Sequence, residues 1–278
     1  MKRFLLGVLA TVAILSVVAY LLRMQIAMRL VERAATSNLT TNLLLELPDG
    51  LHVVLCGAGS PLPDPMRSGP CTAIVAGKRL YIVDAGSGSS RVLSRVRLPQ
   101  GEIDGMFLTH FHSDHIDGLG ELLLQRWANG ATTSPLPVYG PEGVEQVVAG
   151  FELAYSLDRK YRIAHHGEEV VPPSGAGAVA RPFQAPADGE AEILVDQGDL
   201  RVSVFRVSHE PVEPAVGYRF DYKGRSVVLS GDTRKSANVE KFAEGVKDVY
   251  KGPVTVGRDG TLVELPAGDD TIEVVELL

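Results

Sequence analysis

Three histidines and an aspartate fall within six positions, as His110, His112, Asp114 and His115, in the string Thr109-His110-Phe111-His112-Ser113-Asp114-His115-Ile116-Asp117-Gly118. Imidazole nitrogens and carboxylate oxygens at this density are the donor set of a hydrolytic metal site. Solvated loop histidines with an ordinary Asp117-Gly118 turn are the plain alternative. The apolar run Gly105 to Thr109 before the cluster is of strand type, and Leu119 to Trp127 after it has helical spacing. The cluster therefore sits at a strand-to-helix turn. Side chains of an extended stretch alternate, so His110 and His112 point to one side, and the turn swings Asp114 and His115 into a second group. Two adjacent ligand groups suit two metal ions. Imidazole with carboxylate favours zinc, while manganese and iron accept the same ligand types.

The elements that must position these residues are short strands. Strand candidates run over Leu51 to Cys56, Cys71 to Ala76, Arg79 to Asp84 and Leu136 to Gly140. A helix is predicted from Gly143 to Leu157, followed by a Pro/Gly/Ala-rich loop from Pro172 to Ala180. Leu200 to Ser208 alternates as a half-buried strand and delivers His209 at its end. Val216 to Tyr222 and Arg225 to Ser230 form a hairpin through Lys223-Gly224 and deliver Asp232. Polar residues just past apolar strands converge at one sheet edge, where a single site can collect His110, His209 and Asp232. The stretch Lys235 to Leu278 offers one short helix and a terminal hairpin around Arg258-Asp259-Gly260.

The chain has 278 residues, 45% of them hydrophobic, enough to bury a full core in one large domain or two small ones. A net charge of -7 argues against nucleic acid as the partner, since phosphates favour a basic face. Residues Phe4 to Leu22 form nineteen uncharged positions behind Lys2 and Arg3. At about 1.5 Å per residue that run is long enough to cross a bilayer. Arg23 follows directly, with no small-x-small cleavage site, so residues 1–33 read as an uncleaved N-terminal transmembrane helix, with a cleaved signal as the alternative. Residues 34–42 suit a linker and 43–278 the catalytic domain. The domain is then expected outside the cytoplasm, either membrane-anchored or, after cleavage, secreted or periplasmic. Cys56 and Cys71 flank a loop between two strands. A disulfide is open to them in an oxidising compartment, although buried free thiols are the commoner outcome.

The pattern His110-x-His112-x-Asp114-His115, then His209, then Asp232 resembles the metallo-β-lactamase superfamily. Leu55 to Gly69, Pro137 to Pro141, Gly217-Tyr218-Arg219 and Ser230 to Arg234 are similar to its ribonuclease Z and arylsulfatase-like branch. The resemblance implies an α/β fold, a four-layer αββα sandwich, with the likeness running from Leu51 to Lys241. It assigns His110, His112 and His209 to a first metal, Asp114 and His115 to a second, and Asp232 to a bridge between them. Asp84 matches a position that holds a histidine ring from behind; a strand-end turn aspartate is the other reading. The family normally supplies a further histidine after the bridging aspartate, whereas here no histidine follows His209 and 46 residues lie beyond Asp232. The chain thus reads as C-terminally shortened near Gly245-Val246, with two zinc ions, the second weakly held. A missing segment would also have covered apolar sheet surface.

The expected activity is hydrolysis of a small anionic phosphate or sulfate ester by metal-activated water, with Asp114 orienting that water. Transfer RNA precursors fit the branch resemblance but not the charge, and a lactone or thioester is a weaker third class. The rival is a catalytically impaired, anchored metal-binding domain. Tyr218 and Arg219 are candidates for substrate contact, with packing as the rival, and His165-His166 for the pocket rim, with surface exposure as theirs.

Overall fold

The structure is a computed structural model that describes residues 16, 20–25, 29, 42–243 and 255–278. It divides into two compact units, Met1–Asn42 and Leu43–Leu278. In the first, residues 16, 20–25 and 29 are helical, and the Arg23 guanidinium lies 3.8 Å above the Tyr20 ring. Most of the expected transmembrane segment Phe4 to Leu22 falls outside the described residues, as does the stretch at Gly245-Val246. Among the described residues no helix is long and apolar enough to cross a membrane.

In the second unit, β1 (Gly50–Gly57), β2 (Cys71–Ala76), β3 (Arg79–Val83), β4 (Ile103–Phe107), β5 (Leu136–Pro141), β6 (Ala178–Phe183), β11 (Thr261–Pro266) and β12 (Glu273–Glu276) form an eight-stranded sheet. Its order is β12-β11-β1-β2-β3-β4-β5-β6, parallel from β3 to β6 and antiparallel elsewhere. The strands β7 (Ala191–Gln197), β8 (Leu200–Arg206), β9 (Val216–Tyr222) and β10 (Arg225–Leu229) make an antiparallel sheet of order β10-β9-β8-β7.

Strands β1 to β4 are buried on both faces, which is why they read as nearly continuous apolar runs. Leu51, Val53, Ile74, Tyr81 and Phe107 face the small sheet and meet Val202, Val204, Tyr218 and Phe220. Val54, Val75, Ile82, Met106 and Leu108 face the other way. There they pack under α1 (Leu43–Glu46), α2 (Ser89–Arg95), α4 (Leu119–Gly130) and α5 (Val144–Ala154), through Leu44, Leu93, Leu122 and Val148 among others. On the far side of the small sheet, Val239 and Phe242 of α7 (Ala237–Phe242) pack on Phe205 and Val207. The layers run helix, sheet, sheet, helix. An aromatic cluster fills the inter-sheet core: the Phe107 ring lies 4.9 Å from Tyr139, 5.2 Å from Tyr218 and 5.5 Å from Phe220. Truncating Phe107 to alanine is expected to cost about 3–5 kcal/mol.

Several expectations are corrected. The helix expected from Gly143 to Leu157 ends at Ala154, and a second, α6 (Ser156–His166), follows. The loop expected at Pro172 to Ala180 holds a short 3-10 turn and the first residues of edge strand β6. Strand β7 was not expected at all. Arg258-Asp259-Gly260 does not turn the terminal hairpin. The β11–β12 turn comes later, around Gly268 with φ 75°, and the Asp259 carboxylate instead accepts from Ala58 N at 2.9 Å and Ser68 N at 2.8 Å. Cys56 and Cys71 are joined in a disulfide rather than left as free thiols. On the outer face of the small sheet, Arg219 pairs with Asp221, and Ser226 donates to Asp221.

Candidate metal centre

Parallel pairing of β3 with β4 brings their C-terminal ends to one edge of the large sheet. Asp84 follows β3 in a left-handed conformation, φ 59°, which aspartate tolerates better than most residues. His110 and His112 follow β4, and Asp114 and His115 lie on the single-turn α3 (Ser113–Ile116). The small sheet supplies the rest: His209 lies beyond β8 and Asp232 beyond β10. Backbone bonds stitch these ends together, with Val216 N donating to Thr109 O at 3.0 Å and Arg234 N to Ser208 O at 2.7 Å.

The ligand atoms of His110, His112, His209 and Asp232 all lie within 4.8 Å of one another. His110 Nε2 is 3.0 Å from His112 Nδ1, which is 3.4 Å from His209 Nε2. Nitrogens of a tetrahedral zinc site, bound at 2.0–2.1 Å, stand roughly 3.3 Å apart, so this spacing fits a shared cation. Burial, and then the charge of His115, push the His110 pKa down to about 3. A neutral imidazole is the form a metal requires.

A second group lies beside the first. His115 Nε2 is 3.7 Å from Asp114 Oδ2 and 3.6 Å from Asp232 Oδ1. The other Asp232 oxygen is 4.0 Å from His209 Nε2, so one carboxylate faces both groups. His115 Nε2 and Asp114 Oδ2 are buried with no hydrogen-bond partner. Buried polar atoms are rarely left so, and two of them aimed at one point fit a cation.

Behind the groups, Asp84 takes three hydrogen bonds on one carboxylate. Oδ1 accepts from Thr109 N at 2.8 Å, and Oδ2 accepts from Thr109 Oγ1 and His115 Nδ1, each at 2.8 Å. Burial pulls the His115 pKa down, but the Asp84 bond and charge, with Asp232 and Asp114, outweigh it and leave it raised. The bond to Nδ1 turns Nε2 toward the ligand group.

The structure brings His110, His112, Asp114, His115, His209 and Asp232 together, with Asp84 directly behind. It does not bring in the other candidates. Tyr218 is fully buried between the sheets, its hydroxyl donating to Leu108 O at 2.6 Å, which removes it from substrate contact. Arg219, on the outer face of the small sheet, donates to Phe242 O at 2.7 Å. His165 and His166 stand exposed at the end of α6. Thr109, by contrast, had no role in the sequence reading; its place directly before His110 was the only signal.

A model of the metallo-beta-lactamase superfamily matches residues 65–268. A ribonuclease Z of Mycobacterium avium (strain 104) is 38% identical over 197 residues, which cover 70% of this chain and 67% of that protein. A ribonuclease Z of Mycobacterium bovis (strain BCG / Pasteur 1173P2) is 34% identical over 218 residues, covering 78% of this chain and 74% of that one. The crystal structure of the short form of human tRNase Z aligns with a TM-score of 0.56 at 22% identity, covering 69% of this chain and 74% of its own, a likeness of fold.

Proposed function

The chain belongs to the metallo-beta-lactamase superfamily of metal-dependent hydrolases, and from that premise we propose that it hydrolyses phosphodiester bonds at the His/Asp centre. The observation that carries this reading is the pair of adjacent ligand groups sharing Asp232. His110, His112, His209 and Asp232 would hold one divalent cation, zinc being the best match to the donors, and Asp114, His115 and Asp232 a second. When bound, such cations supply Lewis acidity and make water a nucleophile near neutral pH, and a pair suits displacement at a phosphoryl centre.

The chain's own groups do the rest. The Asp114 carboxylate, placed at the second ligand group, orients the attacking water. Asp84 holds His115 from behind. His52 is buried on β1, and His165 and His166 stand on α6, so none of these three is offered as the proton donor to the leaving group. The ribonuclease Z relatives support a phosphodiester over a sulfate ester. Those relatives also point to nucleic acid as a substrate, and against this the net charge of -7 favours a small diester over a long RNA. The Cys56–Cys71 disulfide supports an oxidising compartment for the catalytic unit.

The test is turnover of a bis-aryl phosphate, an aryl sulfate, a lactone and a transfer RNA precursor with added zinc or manganese, beside His112→Ala and Asp114→Ala. Cleavage of a diester that both substitutions abolish is the expected result. Activity that survives both, or confined to the sulfate or lactone, would overturn the proposal. Metal binding without turnover of any substrate would leave the binding-only domain.

A further inference from the structure

We propose that Thr109 is a positioning residue whose hydroxyl extends the Asp84 carboxylate to His110, so that one buried acid fixes the ring orientation of two imidazoles. The inference rests on the metal-centre reading above and adds to it a residue that the ligand pattern does not include.

Proton direction carries the argument. Thr109 Oγ1 lies 2.8 Å from Asp84 Oδ2 and 3.0 Å from His110 Nδ1. An ionised carboxylate only accepts, so the hydroxyl proton must point at Asp84. What remains on Oγ1 toward His110 is a lone pair. His110 Nδ1 must then carry the hydrogen, which leaves the lone pair of the ring on Nε2, the atom 3.0 Å from His112 Nδ1. His115 reaches the same end state directly, through Nδ1 on Asp84 Oδ2 at 2.8 Å. One ring from each ligand group is therefore set by Asp84, the second of them through a relay.

The relay is held rigidly. Thr109 is 1% exposed, its N–H donates to Asp84 Oδ1 at 2.8 Å, and its carbonyl accepts from Val216 N at 3.0 Å. On the remaining side lies Gly231, at φ 57°, where an added Cβ would stand 2.8 Å from Thr109 Cβ and 3.1 Å from Oγ1. The loop that ends in Asp232 thus packs against the threonine that orients His110. With backbone fixed on both sides and the side chain wedged, the hydroxyl has little freedom to turn elsewhere.

Thr109→Val keeps shape and removes the hydroxyl, while Thr109→Ser keeps it. Two readouts apply. In protein carrying isotope-labelled histidine, nuclear magnetic resonance should show slowly exchanging Nδ1 protons for both His110 and His115, before any metal is added. The valine variant should lose the His110 signal and keep that of His115, and serine should retain both. In chelator competition, the valine variant should bind zinc about 10- to 100-fold more weakly at the tighter site, with serine recovering most of the loss. A valine variant with wild-type affinity and both protons overturns the role of Thr109 while leaving the hydrolase reading intact. A wild-type chain that binds no divalent ion overturns the hydrolase reading, and the proton signals still decide the relay. Should the valine variant fail to fold, the wild-type spectrum decides: no protected His110 Nδ1 proton sinks the proposal.

Discussion

Asp114 Oδ2 and His115 Nε2 lie 3.7 Å apart on neighbouring residues, both buried, neither with a hydrogen-bond partner. Left without a cation, two such atoms carry the desolvation cost of unsatisfied groups, about 1–3 kcal/mol each. With only a share of Asp232 beside them, they form a poorer set than the three imidazoles next door. We expect wild-type protein to take up two zinc ions of unequal affinity, and Asp114→Ala to take up one. Calorimetric titration checks this, and two equally tight ions in the wild type would contradict it.

The Asp84 carboxylate accepts from three donors, two of them side chains. An amide of the same shape has one accepting oxygen and two donor hydrogens, so Asp84→Asn either sets a donor against the Thr109 N–H or makes Thr109 Oγ1 and His115 Nδ1 accept, which moves the His115 hydrogen to Nε2. The substitution should weaken zinc binding about 10- to 100-fold without removing a ligand. Chelator competition at matched ionic strength measures it; unchanged affinity would mean that the rings are oriented by something else.

Tyr218 fastens the end of β4 to the opposite sheet. Burial pushes its phenol well above its ordinary pKa, so the hydroxyl stays protonated and donates to Leu108 O at 2.6 Å, one residue before Thr109. Tyr218→Phe leaves that carbonyl without this donor in a dry core, at a cost of about 1–3 kcal/mol. Urea unfolding should show the loss, and hydrolysis should persist at reduced metal affinity. Complete loss of zinc binding in a folded variant would give Tyr218 a more direct part than its position allows.

The ligand cluster was legible because its chemistry is local: His110, His112, Asp114 and His115 are close in sequence, and His209 and Asp232 each follow an alternating strand. What escaped depended on tertiary contact. Tyr218 looks like any strand tyrosine until the large sheet covers it. Edge strand β6 was hidden by its composition, since Pro182 sits in it, and a proline is tolerated in a strand only at an edge or bulge. Asp259-Gly260 carries a turn signature, yet the aspartate is used by backbone about 200 residues earlier in the chain, at a separation of 201 for Ala58 and 191 for Ser68.

The Cys56–Cys71 disulfide closes a loop with a sequence separation of 15. In the chain-entropy account, a loop of that length stabilises by about 3 kcal/mol. Cys56→Ser/Cys71→Ser should therefore lower the unfolding midpoint in urea by a corresponding amount, with zinc binding retained. A thiol-reactive dye should find no free cysteine in denatured wild-type protein purified without reductant. Two reactive thiols there would remove the support for an oxidising compartment.

Asp259 holds the base of the same loop from the other end of the chain. Its two oxygens each take one backbone N–H, from Ala58 and Ser68, and Gly59 N donates to Ser68 O at 2.7 Å inside the clasp. Next along, Gly69 runs so close to the metal turn that an added Cβ would stand 3.0 Å from Asp114 O, and its N–H donates to Ser87 O at 2.9 Å. The clasp and the metal turn thus meet at Gly69, but Gly69 has its own anchor. Asp259→Ala should free residues 58–68 while sparing the ligands. Amide hydrogen exchange should rise across 58–68, and zinc affinity should stay within a few-fold of wild type. A collapse of zinc binding would show that the Asp259 clasp, not the Ser87 bond, holds Gly69 against Asp114.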